Sequence, residues 1–173
     1  KVAHLSTHKS LIEAARYVTK GNISSKIALI HNTLSGWGML APKIAVAALN
    51  PHGGEGGLLG REEIEEIGPA IMESRSEGYD VTGPIPSDSV FYRTIDGEFD
   101  VVLALYHDQG HIAIKVHNFH ESITATLGLP FVRTSVDHGT AFDIAGTGKA
   151  KEEGLESAIR AANLIIDGKL DQF

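Results

Sequence analysis

Cysteine is absent from all 173 positions, which excludes disulfides and thiolate metal sites. Any bound metal must therefore use histidine or carboxylate. A basic excess is missing too: 15 Lys and Arg stand against 22 Asp and Glu, a net charge of −7. That balance supplies no electrostatic footprint for nucleic acid or an anionic membrane, so neither is expected as a partner. No apolar run approaches the roughly 20 residues of a spanning helix, and no signal-peptide pattern is visible. The expected location is cytoplasmic. Repeats, low-complexity tracts and interdomain linkers are also lacking. With 42% hydrophobic and 21% charged residues, the composition is that of one ordinary globular domain.

Histidine, by contrast, is plentiful and non-randomly placed. Four apolar runs end within three residues of one: Val2–Leu5 leads to His8, Ile44–Leu49 to His52, Val101–Tyr106 to His107, and Val132–Val136 to His138. Short Val/Ile/Leu/Ala runs alternating with helical patterns read as strands of a largely parallel sheet. Ligands of open α/β sheets collect outside the carboxyl ends of the strands. All four histidines are expected there, on a rim suited to metal or catalysis.

Between the strands, Ile23, Ile27, Ile30, Leu34 and Trp37 form a helical stripe. A second helix carries Ile64, Ile67 and Ile71, with Glu62, Glu63, Glu65 and Glu66 suiting its first turn. A short strand near Asp80–Thr82 is expected, then a loop through Pro84 and Pro86. The last helix should turn Leu155, Ala158, Ile159, Ala162 and Ile165 inward.

Two motifs admit several readings. The loop Asn50–Gly57 lies between a strand and a helix, but its G-x-G-x-x-x-G spacing is not the dinucleotide fingerprint, and Pro51 and His52 are foreign to that motif. A tight turn of positive φ is one alternative. Another is a backbone cradle for an ion or phosphate, with His52 pointing into the cleft. In His107-Asp-Gln-Gly-His111, the H-x-x-x-H spacing suggests a metallohydrolase, against which stand Gly110 and the preceding strand. If a helix starts at Asp108, His111 and Lys115 share one face. Lys115 is otherwise an exposed charge, and Asp108 either a loop cap or the group that orients its neighbour.

Asn50-Pro-His-Gly-Gly-Glu-Gly-Gly57, Tyr106-His-Asp-Gln-Gly110, Leu127-Gly-Leu-Pro-Phe131 and Arg133-Thr-Ser-Val-Asp-His-Gly-Thr-Ala141 resemble the 4-hydroxythreonine-4-phosphate dehydrogenase family. That family includes relatives acting on phosphorylated four-carbon sugar acids. The likeness runs from Leu5-Ser-Thr-His8 to the last helix. His138–Gly146 is also similar to the cofactor loop of isopropylmalate and isocitrate dehydrogenases. The resemblance implies a three-layer α/β/α fold of isocitrate/isopropylmalate dehydrogenase type. It further implies NAD-dependent, metal-assisted oxidation and decarboxylation of a phosphorylated hydroxy acid. The family's metal-binding histidines map onto His8, His52 and His107, a set best suited to Zn²⁺, with Co²⁺, Ni²⁺ or Mg²⁺ as alternatives. Its anion contacts map onto Lys115 and Arg133. Thr124 stands where the family has an asparagine, which leaves the identity of the substrate open. Lys115 and Asp108 are the implied catalytic groups. His138, Gly139, Thr140, Ala141 and Asp143 are assigned to NAD; Thr140 and Asp143 capping a following helix is the alternative.

The implied partners are a small phosphorylated substrate and a second copy sharing the site. The family is roughly twice this length, so residues 1–173 read as the carboxyl-terminal part of a dehydrogenase, a single unit expected to be inactive alone. A naturally short form that only binds metal or nucleotide is the alternative.

Overall fold

The computed structural model describes residues 1–173. Its main sheet has four strands, β1 (Val2–His4), β2 (Ile44–Ala47), β3 (Val81–Ile85) and β4 (Val101–Ala104), in the order β1-β4-β2-β3. Every pair in it is parallel, with His4 opposite Ala104 and Ile44 opposite Val101. All four carboxyl ends consequently share one rim. β2 and β4 are buried on both faces, which is why they read as unbroken apolar runs.

The α/β class and its three layers follow from which faces those strands bury. Ile44, Val46, Val101 and Leu103 point to one side, toward α2 (Lys20–Gly36) and α3 (Gly68–Ser76). The predicted stripe of Ile23, Ile27, Ile30 and Leu34 is the buried face of α2, and Thr19 caps that helix by accepting from Asn22 N–H. Ala45, Ala47 and Val102 point to the other side, where Val90 of α4 (Ser87–Ile95) meets them. On that side α5 (His107–His117) crosses β1 and β4 at Gly110. A Cβ added there would lie 2.3 Å from His4 Nε2 and 2.9 Å from Val2 Cγ1. Glycine sets how closely the helix approaches the sheet.

Several elements depart from the sequence reading. Residues 132–136 do not extend the parallel sheet. β6 (Thr134–Val136) instead pairs antiparallel with β5 (Ile123–Ala125) in a separate two-stranded sheet. The connection between them is too short for the dozen or more residues of a parallel crossover. His138 thus leaves a different sheet from the other three histidines. The expected loop through Pro84 and Pro86 is the end of β3 followed directly by α4. A further helix, α1 (Leu11–Tyr17), starts at a capping box of Ser10 and Glu13 that the sequence does contain.

In α6 (Glu153–Ile166), Ala158 and Ile165 are buried, but Leu155 and Ile159 are 58% and 55% exposed. The helix lies on the β5–β6 hairpin through Gly154, Ser157, Ala158 and Ala161. Small residues permit that close contact, and it turns the larger side chains outward.

Candidate functional site

The rim is assembled from three strand exits. Leu5 N–H donates to Ala104 C=O (2.7 Å), and Ser6 Oγ to Leu105 C=O (3.2 Å). These bonds hold the segment bearing His8 beside the start of α5. The His8 and His107 rings are 6.4 Å apart between centroids. His4 and His111 complete the cluster: His111 is 4.1 Å from His107 edge-on and 4.4 Å from His4. Burial, then the neighbouring His111 and His107, pushes His4 down to about 4. His111 is lowered too, by burial and then by His107. His4 Nε2 and His111 Nδ1 are buried without a hydrogen-bond partner.

The third exit, after β2, turns with the opposite hand. From His52 to Glu55 and on to Gly56, φ values of 53°, 68°, 76°, 45° and 66° trace a left-handed turn. Glycines at 53, 54 and 56 adopt it without penalty, whereas His52 and Glu55 each pay about 1–2 kcal/mol. Such strain persists only where the surroundings over-determine it. Here buried Glu63 does so: its Oε1 accepts from Leu49 and Asn50 N–H (2.9 and 2.7 Å), and its Oε2 from Asn50 Nδ2 (2.9 Å). A Cβ on Gly54 would lie 2.7 Å from Glu63 Oε2.

His8, His52 and His107 share one chemical arrangement. Their Nδ1 atoms face Thr7 Oγ1 (3.5 Å), Glu55 Oε1 (2.6 Å) and Asp108 Oδ1 (2.6 Å), and Nε2 of each makes no hydrogen bond within the chain. An oxygen partner on one ring nitrogen is how metal-ligating histidines are oriented. Glu55, by its hydrogen bond and then its charge, also raises the pKa of His52. His8 and His107 are the pair that the strand exits bring near one another. His52 is not drawn into that pair, and within the chain no three His or carboxylate groups converge on one point. The donor chemistry fits a divalent ion. Convergence of those donors on one point is not made within the single chain.

Beside His107 opens a concavity of about 460 Å³ lined by His107, His111, Ile112, Lys115, Val116 and Asp137. Helical spacing along α5 puts His111 and Lys115 on one face, as the sequence suggested. Lys115 Nζ donates to Asp137 Oδ2 (2.8 Å) and to the Asp137 C=O (2.7 Å). Burial pushes the Asp137 carboxyl up, but the hydrogen bond and charge of Lys115, with Ser122, hold it below the usual range.

Asp137 belongs to a polar face of the β5–β6 hairpin. Ser122 Oγ and Thr124 Oγ1 donate to its carboxylate (3.1 and 3.3 Å), and Arg133 Nη1 donates to Thr126 Oγ1 (3.0 Å). Thr124 and Arg133 therefore share one surface, with Arg133 exposed.

The segment carrying His138, Gly139, Thr140, Ala141 and Asp143 leaves β6 as exposed turns, with Ala141 at φ 46°. No helix starts until Glu153, so neither Thr140 nor Asp143 caps one. The Asp143 carboxylate has no partner within the chain, and its segment leaves backbone open to solvent.

Glu55, Glu63, Gln109 and Asp137 were not anticipated from the sequence. Glu55 and Asp137 carried a signal, lying three residues after His52 and beside His138. Glu63 looked like an ordinary acidic first turn, and Gln109 was hidden inside the H-x-x-x-H spacing.

Residues 1–162 match the family described as "Pyridoxal phosphate biosynthetic protein PdxA". The D-threonate 4-phosphate dehydrogenase of Salmonella typhimurium is 47% identical over 162 residues, 94% of this chain and 50% of the relative. Its counterpart from Cupriavidus necator is 49% identical over 161 residues, 92% of this chain and 48% of the relative. A crystal structure of 4-hydroxythreonine-4-phosphate dehydrogenase from Klebsiella pneumoniae superposes with a TM-score of 0.87 at 47% identity, covering 95% of this chain and 50% of that one. The chain spans about half the length of the curated relatives it matches.

Proposed function

The chain belongs to the PdxA family, and from that premise we propose that it carries the metal and substrate rim of an NAD-dependent dehydrogenase. The substrate is a small phosphorylated hydroxy acid, such as 4-phosphohydroxy-L-threonine or a related phosphorylated four-carbon acid. The reaction oxidises a secondary alcohol and releases CO₂. One observation carries this reading. Three histidines from three strand exits each present Nε2 with Nδ1 held by oxygen, and one of them shares a concavity with Lys115.

His8, His52 and His107 would hold the divalent ion, a second copy of the chain helping to bring them together. When bound, the ion supplies Lewis acidity at the alcohol oxygen and NAD a hydride acceptor. Asp108 fixes the His107 ring. Lys115, ion-paired with Asp137, binds the substrate's negative end and is the group placed to move a proton at Nζ. Arg133 offers its fork to the phosphate. Gly139–Ala141 and Asp143 would hold NAD, Asp143 as a hydrogen-bond acceptor and the loop through its open backbone.

The test is substrate-dependent NADH formation, measured with D-threonate 4-phosphate and 4-phosphohydroxy-L-threonine in turn. Turnover is expected when the chain is supplied with the half of the Salmonella relative that it does not span, and not with the chain alone. Chelation should abolish it, and Zn²⁺ or Co²⁺ restore it. NADH formation by the isolated chain, or hydrolysis without nicotinamide, would contradict this reading; the second would favour a histidine-metal hydrolase.

A further inference from the structure

We propose that Gln109 is a positioning residue that registers the loop bearing His52 against the helix bearing His107. The inference rests on the reading of those two histidines as ligands of one ion.

Gln109 is buried two residues after His107 and reaches three elements at once. Its Oε1 accepts from Leu105 N–H at the exit of β4 (2.6 Å). Its Nε2 donates to Ala48 C=O at the exit of β2 (2.8 Å) and to Ser87 Oγ at the start of α4 (2.8 Å). Ser87 Oγ donates in turn to the same Ala48 carbonyl (2.8 Å). The next two backbone groups of that exit, Leu49 and Asn50 N–H, belong to Glu63. Three successive residues are thus gripped from both sides immediately before the left-handed turn.

A purely structural amide at this depth needs its own polar atoms satisfied, and partners on one element suffice for that. Gln109 instead donates to the strand exit that leads to His52, and to the Ser87 hydroxyl that binds the same carbonyl, while accepting from the exit that leads to His107. Both exits are loops, free to drift without such a tie. Ligand sets tolerate little drift, because supporting shells hold them to about half an ångström.

The experiment compares Gln109→Met and Ser87→Ala with the parent 173-residue chain. Gln109→Met keeps length and volume but loses all three bonds, and Ser87→Ala loses only the hydroxyl's share. Imidazole proton–nitrogen correlation spectra at fixed pH, without metal, read the His52 and His107 rings directly. Co²⁺ titration followed by its visible spectrum reads affinity, and thermal melting reads the fold. Gln109→Met should move the signals of both His52 and His107 and weaken Co²⁺ binding about tenfold. Ser87→Ala should move His52 in the same direction by less. A lower melting temperature with unmoved His52 signals overturns the proposal. Should Gln109→Met fail to fold, Ser87→Ala decides alone on the same criterion. Co²⁺ affinity unchanged by His52→Ala overturns the metal reading instead, and the clamp is then judged by the metal-free spectra.

Discussion

His4 is uncharged at neutral pH because it is buried against two other imidazoles. Its folded value of about 4 lies below the 6.5 expected of an unfolded histidine, so the unfolded chain binds the extra proton first as pH falls. Stability is therefore full above 6.5, declines between 6.5 and 4, and the decline from this residue ends below 4. The slope is at most about 1.4 kcal/mol per pH unit. Urea unfolding at several pH values should show it, and His4→Leu should flatten it. Gly110→Ala pushes a methyl into the same ring and into Val2, at an expected cost of about 1–3 kcal/mol. At His52 the sign is reversed: Glu55 favours the protonated ring. If His52 binds metal as proposed, protons compete for its ring nitrogen up to a higher pH than at an isolated histidine. Glu55→Gln should shift the midpoint of pH-dependent Co²⁺ uptake to lower pH, measured by titration at constant ionic strength.

Among the elements, the left-handed turn gives the sharpest contrast. Gly53→Ala places its methyl in open space at φ 68°, so only backbone strain of about 1–2 kcal/mol is expected. Gly54→Ala adds a collision with Glu63 Oε2, and should lower the melting temperature further than Gly53→Ala. Periodicity made α2, β2 and β4 legible, because their burial patterns are simple: one stripe, or a run buried on both faces. It left α4 unread, since nine residues after Pro86 offer little more than two turns of pattern. The hairpin was misplaced for another reason. Apolar residues at 132 and 136 say that one face is covered, but not which sheet covers it. Of the candidate site, His8, His52, His107 and Lys115 could be named from strand ends and motifs. The partners Glu63, Gln109 and Asp137 could not, because each acts on backbone or side chains that only the folded chain brings near.

For the molecule as a whole, the outward face of α6 is an unpaired apolar stripe. Leu155, Ile159 and Ile166 recur at helical spacing and are all more than half exposed. Exposed patches of this kind mark surfaces that other surfaces cover. Concentration-dependent association is expected in sedimentation, reduced by Ile159→Lys together with Ile166→Glu, and little affected by salt because the stripe is uncharged. A net charge of −7 opposes indiscriminate clumping, so a defined small oligomer is the expected product.

The turn at His52–Gly56 also has a stereochemical consequence. Its backbone occupies the half of conformational space that mirror-image amino acids prefer. A chain made by chemical ligation with D-alanine in place of Gly53 would meet no backbone strain there, and it would lose less freedom on folding than glycine does. Such a protein should be more stable than the natural one by up to about 1 kcal/mol, while its L-alanine twin is less stable. Side-chain chirality at one position would thus decide whether the loop holding His52 tightens or loosens.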